Sequence, residues 1–364
     1  MSGRRLPFVD WLRGIGVLIM IEAHVFDAWM RLPDRATVHF KYARILAGWA
    51  APTFLFLAGL SLTMAMGRQL GKGGSARDVA RSGLRRGWRI VGLAFLFRLQ
   101  SVLLSGGTLR TLLKVDILNV MGLAMVATAA VWSLGRRPWP RALLLILAAA
   151  TISLVTPLVR LAGWPEPLPD ALEAYLRPVA GRATFTLFPW AGFVLAGGAA
   201  GLAMARLVDG DSQRRLMGWF AGGGVVATAL GYGLSWLPSP YVDSQFWTSS
   251  PTFFLLRCGV LLLALAGTWA LTPQLTGRWT TLGRWLTTLG TSSLFVYWVH
   301  IEIVYGLISR PLHARFSFYE TVLVYAVFVV AVYGMVRLKD AVLTRWSGGD
   351  WFGTSAEPLR PLSS

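Results

Sequence analysis

Residues 9–30 read VDWLRGIGVLIMIEAHVFDAWM. The run is apolar and reaches the length of about 20 residues that a helix needs to cross a bilayer. It nevertheless carries Asp10, Arg13, Glu22, His24 and Asp27. An ionised group at the bilayer centre costs ~2.5–3.5 kcal/mol even on an insertion scale, so such residues mark functional sites by default. On a helix, Arg13 and His24 fall on one stripe, about 20° apart in rotation and about 16 Å apart along the axis. Asp10 and Asp27 share with them an arc about 100° wide, while Glu22 points to the opposite side. One face therefore runs from a cation near one membrane surface to a titratable imidazole deeper in.

The rest of the chain is built to match. Of its 364 residues, 55% are hydrophobic and 14% charged, whereas soluble domains carry about 25% charged residues. The formal net charge of +18 does not indicate nucleic acid. The basic residues sit in short segments between apolar runs, where positive-inside topology and anionic membrane lipid account for them. The single cysteine, Cys258, lies in an apolar run and excludes a disulfide framework within the chain. The N-terminus is basic and then apolar, like a signal peptide. Its apolar part is too long and too charged, however, and leads to no small-residue cleavage site, so it reads as a retained first helix.

Apolar runs predict an all-α polytopic membrane protein of about ten transmembrane helices, near 9–30, 44–66, 88–104, 116–134, 141–163, 183–206, 214–236, 252–272, 285–308 and 319–337. Lys and Arg concentrate at Arg4 and Arg5, in 68–89, 135–141, 206–215 and 273–284, and after 336, which puts both termini in the cytoplasm. The opposite loops, 164–182 and 237–251, are short and Pro-rich, so the chain reads as one membrane domain over 1–340. The remainder, 341–364, reads as a polar, disordered cytoplasmic tail. Small residues (Ala47, Gly48, Ala51 and Gly59; Gly192, Gly197, Gly198 and Gly201) permit close helix approach. Pro52 and Pro189 are expected to kink their helices.

Depth then sorts the polar residues into two chambers. Asp10, Arg13, Arg85, Arg86 and Arg89 belong to the cytoplasmic side; His24, Arg98, Asp116, Asn119, His300 and Glu302 belong to the outer half. In the ninth span Ser293, Tyr297 and His300 share one helix face, and Trp298, Glu302 and Tyr305 share another. Cations below suit an anionic cofactor, and a histidine with carboxylates above suits a general base. Plainer readings stand beside these. Arg85, Arg86 and Arg89 also serve as positive-inside anchors, Arg13 as a partner of Asp10, Asp27 as a solvated headgroup-level acid, and His300 with Glu302 as a buried structural pair. His24 has fewest structural excuses. His39 and His313 fall in loops. No tight HxxE or CxxC spacing calls for a metal, and neither a phosphate-binding glycine loop nor a GxSxG elbow occurs.

At these residues the chain resembles a known family. The string RLPFVDWLRGIGVLIMIEAH is similar to the first helix of transmembrane acyltransferases of the heparan-alpha-glucosaminide N-acetyltransferase type, relatives of the acyltransferase-three O-acetylation proteins. The Arg-x10-His spacing from Arg13 to His24 matches that wider group. APTFLFLAGLSL at 51–62, LKVDILNVMG at 113–122, FPWAGFVLAG at 188–197 and LGTSSLFVYWVHIEIVYG at 289–306 resemble its further blocks, in order. The likeness covers roughly 5–337 and lacks the large luminal extension of the animal enzymes. It implies a bacterial-type protein of the inner membrane that passes an acetyl group from cytoplasmic acetyl-coenzyme A to a sugar or glycan acceptor across the membrane. It further implies His24 as the catalytic histidine, Arg13 as its cofactor-side partner, and Arg86 and Arg89 as a clamp for the coenzyme A phosphates. Asp27 or Asp116 is expected to orient His24, with His300 as an additional catalytic residue. A homodimer is compatible with this reading. The competing reading is an exporter of a polar solute that uses intramembrane His and Glu; the chain lacks the internal repeat many transporters show.

Overall fold

The computed structural model describes residues 6–105, 108–207 and 209–345. The first helix, α1 (Pro7–Trp29), opens on a proline, whose missing N–H falls where the first turn has no use for one. A 3₁₀ turn (Leu32–Ala36) leads to α2 (Val38–Ala47), α3 (Ala50–Gly71), α4 (Ala76–Ser105) and the short α5 (Leu109–Leu112). Then come α6 (Ile117–Leu134), α7 (Pro138–Leu161), α8 (Asp170–Leu176), α9 (Leu187–Met204), α10 (Gly210–Leu234) and α11 (Pro251–Ala270). The chain closes with α12 (Thr272–Thr276), α13 (Thr280–Thr291), α14 (Ser293–Tyr305), a second 3₁₀ segment (Leu307–Leu312) and α15 (Phe318–Arg345). There is no β-strand among the described residues, only the isolated bridges Met30 to Phe316 and Val115 to Ala183.

Each predicted span falls on helix, but among the described residues six helical segments are long and apolar enough to cross a membrane: α2 with α3, then α6, α7, α9, α11 and α15. α1, α4 and α10 are helical without reaching that apolarity, while α13 and α14 are each too short, α14 being apolar. In α1 the cause is the set of charges that makes it interesting. The second predicted span is displaced: the chain breaks at Gly48–Trp49, and α3 starts at Ala50. Pro52 therefore sits in a first turn, where it fits without a kink. Pro189 does accompany a distortion. Phe188 is non-helical (φ −101°, ψ 116°), and its carbonyl accepts from Thr186 Oγ1 at 2.6 Å and from Arg160 Nη2 at 3.4 Å.

The ninth predicted span is not one helix. Ser292 (φ −103°, ψ 17°) separates α13 from α14. Hydroxyls of Thr288 and Thr291 bond the carbonyls of Arg284 and Thr288, the local competition that makes Ser/Thr runs weak helix interiors. Lys339 of α15 donates to Ser292 Oγ at 2.9 Å and pins the break. Residues 341–345, expected in the tail, continue α15; 346–364 lie outside the described residues.

Glycines set how closely the helices pack. α3 and α9 run parallel, and a Cβ on Gly59 would overlap the Val194 carbonyl while one on Gly197 would overlap that of Phe56. The close helix approach that these small residues are expected to permit is observed, and it occurs between these two helices. Gly197→Ala is expected to lower stability by about 1–3 kcal/mol, because the obstructing group is backbone rather than a flexible side chain. Thermal unfolding of the detergent-purified protein checks this, and an unchanged midpoint would refute it. α1 and α13 pair in the same way, Gly14 over the Leu286 carbonyl and Gly290 over that of Asp10, with Trp11 Nε1 donating to Thr287 at 2.9 Å. This parallel pair continues upward as α1 with α14, which brings the second half of the chain against His24.

Candidate active site

Two histidines meet between α1 and α14. His24 Nδ1 lies 3.0 Å from His300 Nε2, with ring centroids 5.0 Å apart. His300 is fully buried, and its Nδ1 is 2.6 Å from the Val296 carbonyl oxygen. A carbonyl only accepts, so the proton of a neutral His300 resides on Nδ1 and its Nε2 holds a lone pair. The inter-histidine contact is therefore His24 Nδ1–H donating to His300 Nε2. That leaves the lone pair of His24 on Nε2, the atom a general base needs.

The two carboxylates expected to orient His24 have hydrogen-bond or ion-pair partners elsewhere. Asp27 is exposed and accepts from the Tyr305 hydroxyl at 2.8 Å. Tyr305 in turn stands edge-on to His24, centroid to centroid 5.8 Å. Asp116 is the N-cap of α6, accepting from the Leu118 amide while Asn119 accepts from its backbone N–H. Its other oxygen faces Arg98 Nη2 at 2.8 Å. Asp116 is linked to the histidines through Tyr297, which faces its carboxyl and whose ring lies 6.0 Å from that of His300. Among the described residues His24 is hydrogen-bonded to His300 and to neither carboxylate. Tyr297 is signalled in the sequence only by sharing a helix face with His300, whereas Tyr305 is assigned there to the other face, with Trp298 and Glu302.

Arg13 sits about 16 Å down α1 from His24. It donates to Asp10 at 3.1 Å and to Ser61 of α3 at 2.8 Å, so the i, i+3 pairing is real without accounting for the whole side chain. α3 and α4 are antiparallel, with Ser82 bonded to Gln69 at 2.9 Å and Gly83 against Met66. Along α4, Arg86 lies about one turn and Arg89 about two turns from these contacts, which puts Arg89 near the level of Ser61. Both are exposed and have no side-chain partner among the described residues. The three predicted cofactor-side cations thus lie within about one turn of one another in depth. Glu22 points away from the stripe, buried, with Oε2 unpartnered and Tyr325 of α15 nearby. Arg257, also within a predicted span, lies 4.0 Å over the Phe253 ring with Trp49 and Trp190 about it. No group of three or more His, Cys, Asp or Glu that could hold a metal occurs among the described residues.

Residues 5–233 match the family model of the heparan-alpha-glucosaminide N-acetyltransferase catalytic region. That range contains Arg13, His24, Asp27, Arg86, Arg89 and Asp116, and stops short of His300. No individual curated protein matches the chain.

Proposed function

The chain belongs to the heparan-alpha-glucosaminide N-acetyltransferase catalytic family, and on that premise we propose that it is a membrane-integral acetyltransferase. Acetyl-coenzyme A enters from the cytoplasmic side and an amine or hydroxyl of a sugar or glycan accepts the acetyl group on the other. The bacterial inner membrane and the kinship with acyltransferase-three proteins are part of the same reading. The observation that carries it is the His24–His300 pair. It presents an unprotonated Nε2 one helix stripe above Arg13, in a chain whose family performs acetyl transfer.

The chemistry follows from the geometry. Coenzyme A phosphates are held near Arg13, Arg86 and Arg89, with charge-assisted bonds replacing part of the Asp10 and Ser61 contacts. The thioester then points toward His24. His24 Nε2 takes the proton of the acceptor as its nitrogen or oxygen bonds the thioester carbon. The C–S bond breaks, and the imidazolium returns the proton to the departing thiolate. Covalent transfer through His24 uses the same Nε2 lone pair. The exporter reading finds no support in the family match.

The test is an assay of purified protein with acetyl-coenzyme A and a panel of free and lipid-linked sugars; absence of transfer to every acceptor, with no thermal stabilisation by coenzyme A, would overturn the proposal. Within it, Arg13→Ala is expected to weaken coenzyme A binding about tenfold or more, the scale of one lost charge-assisted hydrogen bond. Calorimetric titration reads that value, and an unchanged affinity would return Arg13 to an ion pair with Asp10.

A further inference from the structure

A second cluster of cations lies at the opposite end of the bundle from Arg13, where the cytoplasmic bias of basic residues gives no reason for one. A cavity of about 360 Å³ opens there between the segment leading into α6 and the loop before α9, lined by Arg98, Arg110, Thr111, Lys114, Gly181 and Arg182. Its walls are fixed. Val115 N–H donates to the Arg182 carbonyl at 2.8 Å and Thr184 N–H to that of Val115 at 3.1 Å. Two of the four cations have carboxylates: Arg98 faces Asp116 at 2.8 Å, and Arg182 faces the largely exposed Asp170 at 3.1 Å. Glu302 also lies within the field of Arg98. Arg110 and Lys114 have no side-chain partner among the described residues, and the buried Nε of Arg98 makes no hydrogen bond.

Converging donors with uncompensated positive charge in a concave site are the chemistry that binds a phosphate or carboxylate. The cavity is also joined to the reaction centre. From Arg98 the contacts pass to Asp116, to Tyr297, to His300 and to His24. We propose that this cavity binds an anionic group of the acceptor, a phosphate or carboxylate, and so turns the acceptor's amine or hydroxyl toward His24. The inference rests on the acetyltransferase reading and narrows its substrate to an acidic sugar, whether free or attached through a phosphate to a lipid. Arg110 and Lys114 are the residues that select for charge. Arg98 is tied to the Asp116 cap and sets the floor.

The test compares glucosamine 6-phosphate and glucuronate with glucosamine, on the full chain and on the variant R110Q/K114Q. The charged sugars are expected to raise the melting temperature of the unsubstituted protein while glucosamine does not. In the double variant this shift disappears, the stabilisation by coenzyme A is unchanged, and the KM for glucosamine 6-phosphate rises by about tenfold or more with kcat retained. Equal stabilisation of both proteins by the charged sugars, or no distinction between charged and uncharged sugars on the unsubstituted protein, would overturn the assignment. So would loss of the sugar effect in phosphatidylglycerol nanodiscs but not in phosphatidylcholine ones, which would make the occupant a lipid headgroup. Retention of the charged-sugar shift, dependent on Arg110 and Lys114, in a protein that transfers no acetyl group would leave the anion site standing and remove the acetyltransferase reading instead.

Discussion

His24→Ala is expected to reduce acetyl transfer by about 10²–10⁴-fold, the contribution of a positioned general base. The reason is the tautomer. With His300 Nδ1 committed to the Val296 carbonyl and His24 Nδ1 to His300, Nε2 of His24 is the lone pair of this pair that remains available for chemistry. An alanine removes it and leaves the cations near Arg13 untouched, so coenzyme A affinity is expected to stay as it was. Turnover of the purified variant, measured beside thermal stabilisation by coenzyme A, separates the two effects. Full turnover in the variant would eliminate His24 as the base, and lost stabilisation would show that the substitution had damaged the fold rather than the chemistry.

The second large effect is expected at His300, about 10²–10³-fold on removal to alanine, because a base held in the wrong tautomer or rotamer fails even when present. His300 touches no reacting atom in this scheme. It is a positioning residue, whose Nε2 accepts from His24 and whose Nδ1–H is anchored one turn back on α14. His300→Gln keeps an oxygen that accepts the His24 proton and is expected to recover a substantial part of the rate lost in His300→Ala. Equal rates for the two variants would reduce His300 to filling space in the core. Because its ring is fully buried, both proteins are compared at matched folded fraction, read from their unfolding curves.

Much of this molecule was legible from the chain alone. Lipid offers no hydrogen bonds, so long apolar runs must be helices, and every predicted span falls on helix. The period of the helix alone placed Arg13 and His24 on one stripe and sent Glu22 to the other side, where α15 receives it. The close approach at Gly59 and Gly197 was likewise readable, since only small residues let backbones meet. Hydropathy was less able to place the break at Ser292, because apolarity continues across it and the competing Thr and Ser hydroxyls are local, short-range effects. It also assigned Pro52 a kink that a shift of the helix start removed.

What pattern could not supply was the partner of His24. The sequence offered Asp27 and Asp116, because carboxylates are the usual orienting groups and lie near it in depth. The choice of His300 depends on how Gly14 and Gly290 let α1 and α13 approach, since that contact sets the register of α14 against α1 and brings together residues 276 positions apart. In the same way Arg110, Lys114 and Arg182 read singly as outer-loop charges and Arg98 as a span residue of the outer half; the pairing of Val115 with Arg182 gathers them around one cavity. Helical period is a property of neighbours along the chain and is written in it. Which distant helix a given face meets is decided by packing, and that is where this site is made.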